Sequence, residues 1–130
     1  KGSGMRGTSD NNLLTMWRKA SKKYHNHCCF FCGKHESQTQ IEVHHYIKRK
    51  NLLTRYLPVN GFPVCKYGCH QHAHTKKGEG QIRDWLVKNG WLEYLEKRET
   101  QSKQWFVENG ITKNDFLKQA YYNLKKVIDG

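Results

Sequence analysis

The chain has 130 residues, enough for one domain and short of two. Hydrophobic residues are only 36% of it, so the core is small and invites a staple such as a bound metal. Twenty-three Lys and Arg against eleven Asp and Glu leave a net charge of +12, which makes a polyanion the expected partner. No apolar run approaches the roughly 18 residues of a membrane-spanning helix, so the chain is expected to be soluble and without a membrane partner.

In chain order, Lys1 to Gly4 read as a tag remnant before Met5 and stand apart from the fold. Residues 5–24 form an N-terminal helical segment. There, Leu13, Leu14, Met16, Trp17, Ala20 and Tyr24 recur at helical spacing from Asn11 on, with Asp10 as the expected N-cap. Residues 25–78 are rich in Cys and His and carry short β-like pieces. Ile41 to Tyr46 predicts a strand, and Leu57 to Pro63, holding both prolines, predicts a loop. Residues 79–130 turn helical. Ile82, Trp85 and Leu86, then Trp91, Leu92, Tyr94 and Leu95, predict one broken helix or two short ones, with the break at Asn89-Gly90. Thr112 to Ile128 predicts the longest helix, with Thr112 and Asp115 set like a capping box. The echo between Trp85-Leu-Val-Lys-Asn-Gly90 and Trp105-Phe-Val-Glu-Asn-Gly110 reads as two helices with similar glycine ends.

The five cysteines are an odd number without an export signal, which favours metal over disulfides. Cys29-Phe-Phe-Cys32 is a CxxC followed by Gly33, and Cys65-Lys-Tyr-Gly-Cys69 is a second pair. Two such knuckles place four thiolates around one structural Zn²⁺, leaving Cys28 as the spare. Bound there, zinc would add folding free energy directly.

His44 and His45 are adjacent, so on an extended strand they point to opposite sides. One can bind a metal while the other faces a substrate. His70 and His74 are four apart and share a face if helical, a metal-ligand spacing, with His72 pointing elsewhere. The loop between the knuckles carries Asn60 and the basic residues Lys48, Arg49, Lys50 and Arg55, and Lys76 and Lys77 follow the last histidine. These six are expected to contact phosphates without reading sequence.

Together, Cys29-xx-Cys32, Glu42-Val43-His44-His45, Asn60 and Cys65-xxx-Cys69-His70-Gln-His-Ala-His74 resemble the HNH, or ββα-metal, endonuclease family. The resemblance spans about a third of the chain. It implies an α+β fold: a ββα-metal core on a four-cysteine zinc-knuckle scaffold, with an N-terminal helix and a C-terminal helical extension. It further implies a metal-dependent DNA endonuclease leaving 5′-phosphate and 3′-hydroxyl ends. His45 would be the general base, and His44, His70 and His74 would hold one divalent cation, Mg²⁺ or Mn²⁺ first, with Zn²⁺ or Ni²⁺ also suited to histidine. Asn60 would orient the His45 ring through its loop and a hydrogen bond. The CxxxC spacing departs from the family's commoner CxxC and shifts His70 by one residue relative to Asn60. It leaves open whether His70 or His72 completes the metal site.

The C-terminal helices and His45-Tyr46-Ile47-x-Arg49 also resemble the phage NinG/Rap-type recombination nucleases, which act on branched DNA. Duplex cleavage by one site per chain would call for a homodimer, and the expected location is cytoplasmic. The rival reading is a non-catalytic zinc-ribbon module that binds nucleic acid, which has no need of histidines at these spacings.

Overall fold

The computed structural model describes residues 6–101 and 104–130, so the expectation for residues 1–4 lies outside the described residues. The chain begins with a 3₁₀ turn, Arg6–Thr8, and the helix α1, Asp10–Tyr24. A two-stranded antiparallel sheet follows, β1 (Ile41–His45) against β2 (Gly61–Cys65), with the one-turn helix α2 (Leu52–Arg55) and a 3₁₀ turn (Pro58–Asn60) between them. The short helix α3, Cys69–Ala73, leads into α4 (Lys76–Lys88), α5 (Leu92–Thr100), α6 (Gln104–Asn109) and α7 (Lys113–Asp129). The mixture of helix and strand is α+β, and among the described residues no helix is long and apolar enough to cross a membrane.

The first helix differs from expectation at its start. Ser9, not Asp10, is the N-cap: its backbone is extended and its hydroxyl accepts from the Asn12 N–H. Asp10 is thereby the first helical residue, and its carboxylate is free for partners elsewhere. Leu13, Leu14, Trp17 and Ala20 are buried as their spacing requires, whereas Tyr24 is exposed. They pack with Tyr56 and with Leu124 of α7, joining the two ends of the chain.

The segment expected to be a loop, Leu57 to Pro63, instead turns once and enters β2. Pro63 is tolerated there for a reason of register. The Tyr46 N–H donates to Asn60 O and the Lys66 N–H to Gln40 O, so hydrogen-bonded pairs alternate and Val43↔Pro63 falls between them. The missing N–H of Pro63 faces away from β1, and its carbonyl accepts from the Phe30 N–H at 2.7 Å. Gly61 opens this strand because a Cβ there would overlap the Ser21 hydroxyl and the Trp17 ring. Glycine lets α1 lie directly on β2.

A second core forms where β2 meets the C-terminal helices: Phe62, Ala73, Ile82, Leu86, Leu92 and Leu95 are all buried. Helix α4 starts at Lys76, ahead of the expected Gly80, because Thr75 caps it through the Gly78 N–H. The break at Asn89-Gly90 divides α4 from α5 as read. Gly90 and Gly110 both have positive φ, and the Asn before each donates its side-chain amide to the Trp four residues back, at 2.8 Å. The Trp91 and Ile111 N–H groups close back on Leu86 and Phe106, so the sequence echo is a repeated helix-ending motif. Thr112 caps α7 through the Asp115 N–H.

Candidate metal centre and active site

The four cysteines converge from three places: the Cys29–Cys32 turn, the end of β2 and the first residue of α3. The Sγ atoms of Cys29, Cys32, Cys65 and Cys69 all lie within 4.8 Å of one another, and Cys32 and Cys65 are 3.4 Å apart. Sulfurs arranged tetrahedrally at the usual zinc distance would be about 3.8 Å apart, so the cluster is the right size for that ion. Its electrostatics agree. Burial pushes Cys29 up, but backbone N–H donors of Cys32, Cys65 and Phe31 outweigh it and bring the thiol down to about 7. Cys69 is pushed up to about 12, by burial first and then by its contacts with Cys29. Four thiols this close cannot all ionise without a cation among them. The four cysteines can therefore hold a structural zinc. Cys28 is outside the group, its thiol directed to the Asn26 carbonyl at 3.4 Å.

The knuckle also aims the histidines. Cys65 ends β2 and Cys69 begins α3, so fixing both sulfurs fixes the direction in which α3 leaves the sheet. That direction brings His70 and His74 over His44 of β1. Ligand nitrogens of His44, His70 and His74 lie within 4.8 Å of one another. Ring centroids are 4.7 Å apart for His44 and His74, and 5.1 Å for His70 and His74. His72 turns the other way, bonding Gln81 of α4 through Nε2 at 2.7 Å with its ring edge-on to Phe31, so the group is completed by His70. His44 is buried, and burial followed by the neighbouring His74 and His70 lowers it to about 4. It is a neutral imidazole at pH 7, the form that ligates metal. The three nitrogens form a second, separate candidate metal group.

Sequence reasoning missed one member of this site. Glu42 Oε1 lies 2.7 Å from His70 Nδ1, so the carboxylate takes the Nδ1–H and leaves Nε2 with its lone pair outward. The signal was present, since Glu42 and His44 are two apart on a strand and share a face.

His45 faces away from His44, as adjacent strand residues do. Its ring stacks on Trp17 with centroids 3.8 Å apart and planes 10° from parallel. Its Nε2 lies 3.0 Å from the Arg55 carbonyl oxygen. A carbonyl can only accept, so Nε2 carries the proton and Nδ1 keeps the lone pair. Burial is the main cause that lowers His45 to about 4, with the cations of Arg49, Arg55 and Arg18 adding to it against the Arg55 carbonyl. Nothing in the local sequence pairs Trp17 with His45; the contact exists because α1 lies on β2.

Asn60 is fully buried, and its side chain makes no hydrogen bond to the His45 ring. Its Oδ1 accepts from the Ile47 N–H at 2.7 Å, and its Nδ2 donates to the Ile47 and Thr54 carbonyls at 3.0 and 3.1 Å. Asn60 thus pins both ends of the 47–54 loop. The next carbonyl along, Arg55, is the one that holds His45, so Asn60 acts on that ring through the backbone.

Of the basic residues, Lys48 and Lys50 are exposed beside an open groove shared with Asn51, Glu79 and Glu99. Lys76 and Lys77 are exposed in the first turn of α4. Arg49 and Arg55 are already engaged: both guanidinium groups pair with Asp10, at 3.0 and 3.3 Å, and the Tyr56 hydroxyl donates to the same carboxylate. Comparison of the chain with protein-family models, with curated proteins and with solved structures finds no match.

Proposed function

We propose that this chain is a metal-dependent DNA endonuclease of the HNH type. One observation carries the reading: a single strand presents His44 to a three-imidazole group on one face and, on the other, His45 with its tautomer fixed by a backbone carbonyl. A binding module has no use for a half-buried histidine held in this way.

His45 Nδ1 takes a proton from water as the water oxygen attacks phosphorus. The P–O3′ bond breaks, giving a 5′-phosphate and a 3′ oxygen that picks up a proton from solvent. Burial keeps His45 neutral at pH 7, ready to accept. The Arg55 carbonyl and the Trp17 ring hold the imidazole in place through the transfer, and Asn60 holds the Arg55 carbonyl. His44, His70 and His74 would hold a divalent cation, which supplies positive charge to the phosphate and to the leaving oxygen. Three imidazole ligands suit a transition metal, Mn²⁺, Zn²⁺ or Ni²⁺, better than Mg²⁺, which prefers oxygen. Lys48, Lys50, Lys76 and Lys77, with Arg49 and Arg55 once released from Asp10, would meet the phosphates of DNA.

Plasmid cleavage by the zinc-loaded protein with Mn²⁺, Mg²⁺ or Ni²⁺ tests this. Wild type is expected to cut, while His45→Ala and His74→Ala stay folded and zinc-loaded yet lose at least a hundredfold in rate. If His45→Ala cuts as fast as wild type, the base assignment is wrong. If wild type cuts no nicked, linear or branched DNA with any of these metals but still binds it, the zinc-ribbon binding module is the correct reading.

A further inference from the structure

Past Asp10, helix α1 carries four bases, Arg18, Lys19, Lys22 and Lys23, and no acid. Asp10 itself is taken up by Arg49, Arg55 and Tyr56. Helices α4 and α5 differ: together they carry six bases against five acids, a mixed surface whose charges largely offset one another.

The four bases of α1 are not equivalent. Lys23 Nζ donates to the Val127, Ile128 and Gly130 carbonyls at the end of α7, and Lys22 pairs with Glu36 at 3.3 Å. Arg18 and Lys19 are exposed, and among the described residues their side chains have neither an ion pair nor a hydrogen-bond partner. In a chain of net charge +12, two such cations add to self-repulsion that a polyanion relieves.

Exposed cations occur on any protein surface, and position is what sets this pair apart. Arg18 follows Trp17, whose ring lies on the His45 imidazole with centroids 3.8 Å apart. Its charge acts on that imidazole, as do those of Arg49 and Arg55. The backbone of Arg18 is fixed between the buried Trp17, Ala20 and Ser21, and Gly61 lets Trp17 and Ser21 lie directly on β2. Arg18 and Lys19 are thus presented from a packed helix rather than from a loop, beside the residue assigned as the base.

We propose that the backbone of duplex DNA docks along α1, with Arg18 and Lys19 on neighbouring phosphates of one strand and Arg18 on the side nearer His45, an assignment that rests on the reading of the chain as a DNA endonuclease. These contacts position the duplex and read no sequence.

The test is fluorescence anisotropy of a short labelled DNA duplex with zinc-loaded protein, without a second metal so that nothing is cut, across a range of salt concentrations. The double variant Arg18→Gln, Lys19→Gln is expected to flatten the slope of log K against log[salt] by about 1.8, for two lost phosphate contacts, and to weaken binding roughly tenfold at low salt. The double variant Lys88→Gln, Lys97→Gln removes the same charge from exposed positions of α4 and α5 and is expected to keep the wild-type slope. If the α1 variant keeps the wild-type slope, or if both variants flatten it equally, α1 is not the docking helix, and the endonuclease reading stands without it. If wild type binds no DNA at low salt, that reading falls and the docking helix falls with it. A protein that shows the slope difference yet cuts nothing keeps α1 as its DNA face and loses only the hydrolysis.

Discussion

Replacing Asn60 by Ala separates two roles that a buried polar residue beside the proposed active site can play. The substitution removes three hydrogen bonds to backbone. Thr54 O keeps another partner, the Leu57 N–H at 3.2 Å, so its loss matters little. The Ile47 N–H and C=O have no such replacement among the described residues, and Ile47 is only 6% exposed. Each buried backbone group left unpaired costs about 1–3 kcal/mol, so two of them give a loss of about 4 kcal/mol. At this chain length that corresponds to a fall in Tm of roughly 15 °C. Urea denaturation of zinc-loaded wild type and variant measures the first number, and calorimetry the second. His45→Ala, by contrast, removes one stacked ring and one hydrogen bond to the half-buried Arg55 carbonyl, and is expected to cost about 2 kcal/mol while abolishing the proposed cleavage. If Asn60→Ala loses less than about 1 kcal/mol, the loop is not held by Asn60 and the route from Asn60 through Arg55 to His45 is wrong.

Glu42→Gln should weaken metal binding at the imidazole group roughly 10–100-fold without changing zinc content at the cysteines; calorimetric titration with Mn²⁺ measures it, and an unchanged affinity would remove Glu42 from the site. His25, set among Phe30, Phe62 and Trp85, is lowered by burial to about 4. Its folded-state pKa is below its ordinary value near 6.5, so the stability it brings is complete above pH 6.5 and is lost as pH falls toward 4, by at most about 3 kcal/mol. His25→Phe should therefore flatten the acid side of the stability profile between pH 6.5 and 4, and parallel profiles for the two proteins would refute this. Asp10→Asn should release Arg49 and Arg55 and raise DNA affinity at low salt. Two added phosphate contacts would steepen the slope of log K against log[salt] by about 1.8, and an unchanged slope would place these arginines outside the interface.

What was legible in the sequence was what depends on neighbours a few residues apart. The Thr112 cap, the paired glycine ends at Gly90 and Gly110, and the CxxC turn are local geometries, and each formed as its residue types require. Strand alternation likewise sent His44 and His45 to opposite faces. Where local rules competed, they were less decisive. Ser9 and Asp10 are both good caps, and the choice fell to Ser9 because Asp10 is used by Arg49, Arg55 and Tyr56. Pro63 sits in a strand because its register turns the missing N–H outward, which no single segment reveals.

The sequence by itself determined most of the two candidate ligand sets, since Cys29, Cys32, Cys65, Cys69, His44 and His74 carry their chemistry in residue type and spacing, and it left His70 and His72 as alternatives. Only the tertiary structure decided how those sets are used. The direction of α3 chose His70 over His72, and the return of β2 beneath α1 put Trp17 on His45. The burial of Asn60 made it a clamp on the backbone rather than a group that bonds the His45 ring. The physical reason is range: ligand identity and turn geometry are set within a few bonds, whereas orientation, burial and the partner of each ring nitrogen depend on elements tens of residues apart meeting in one core.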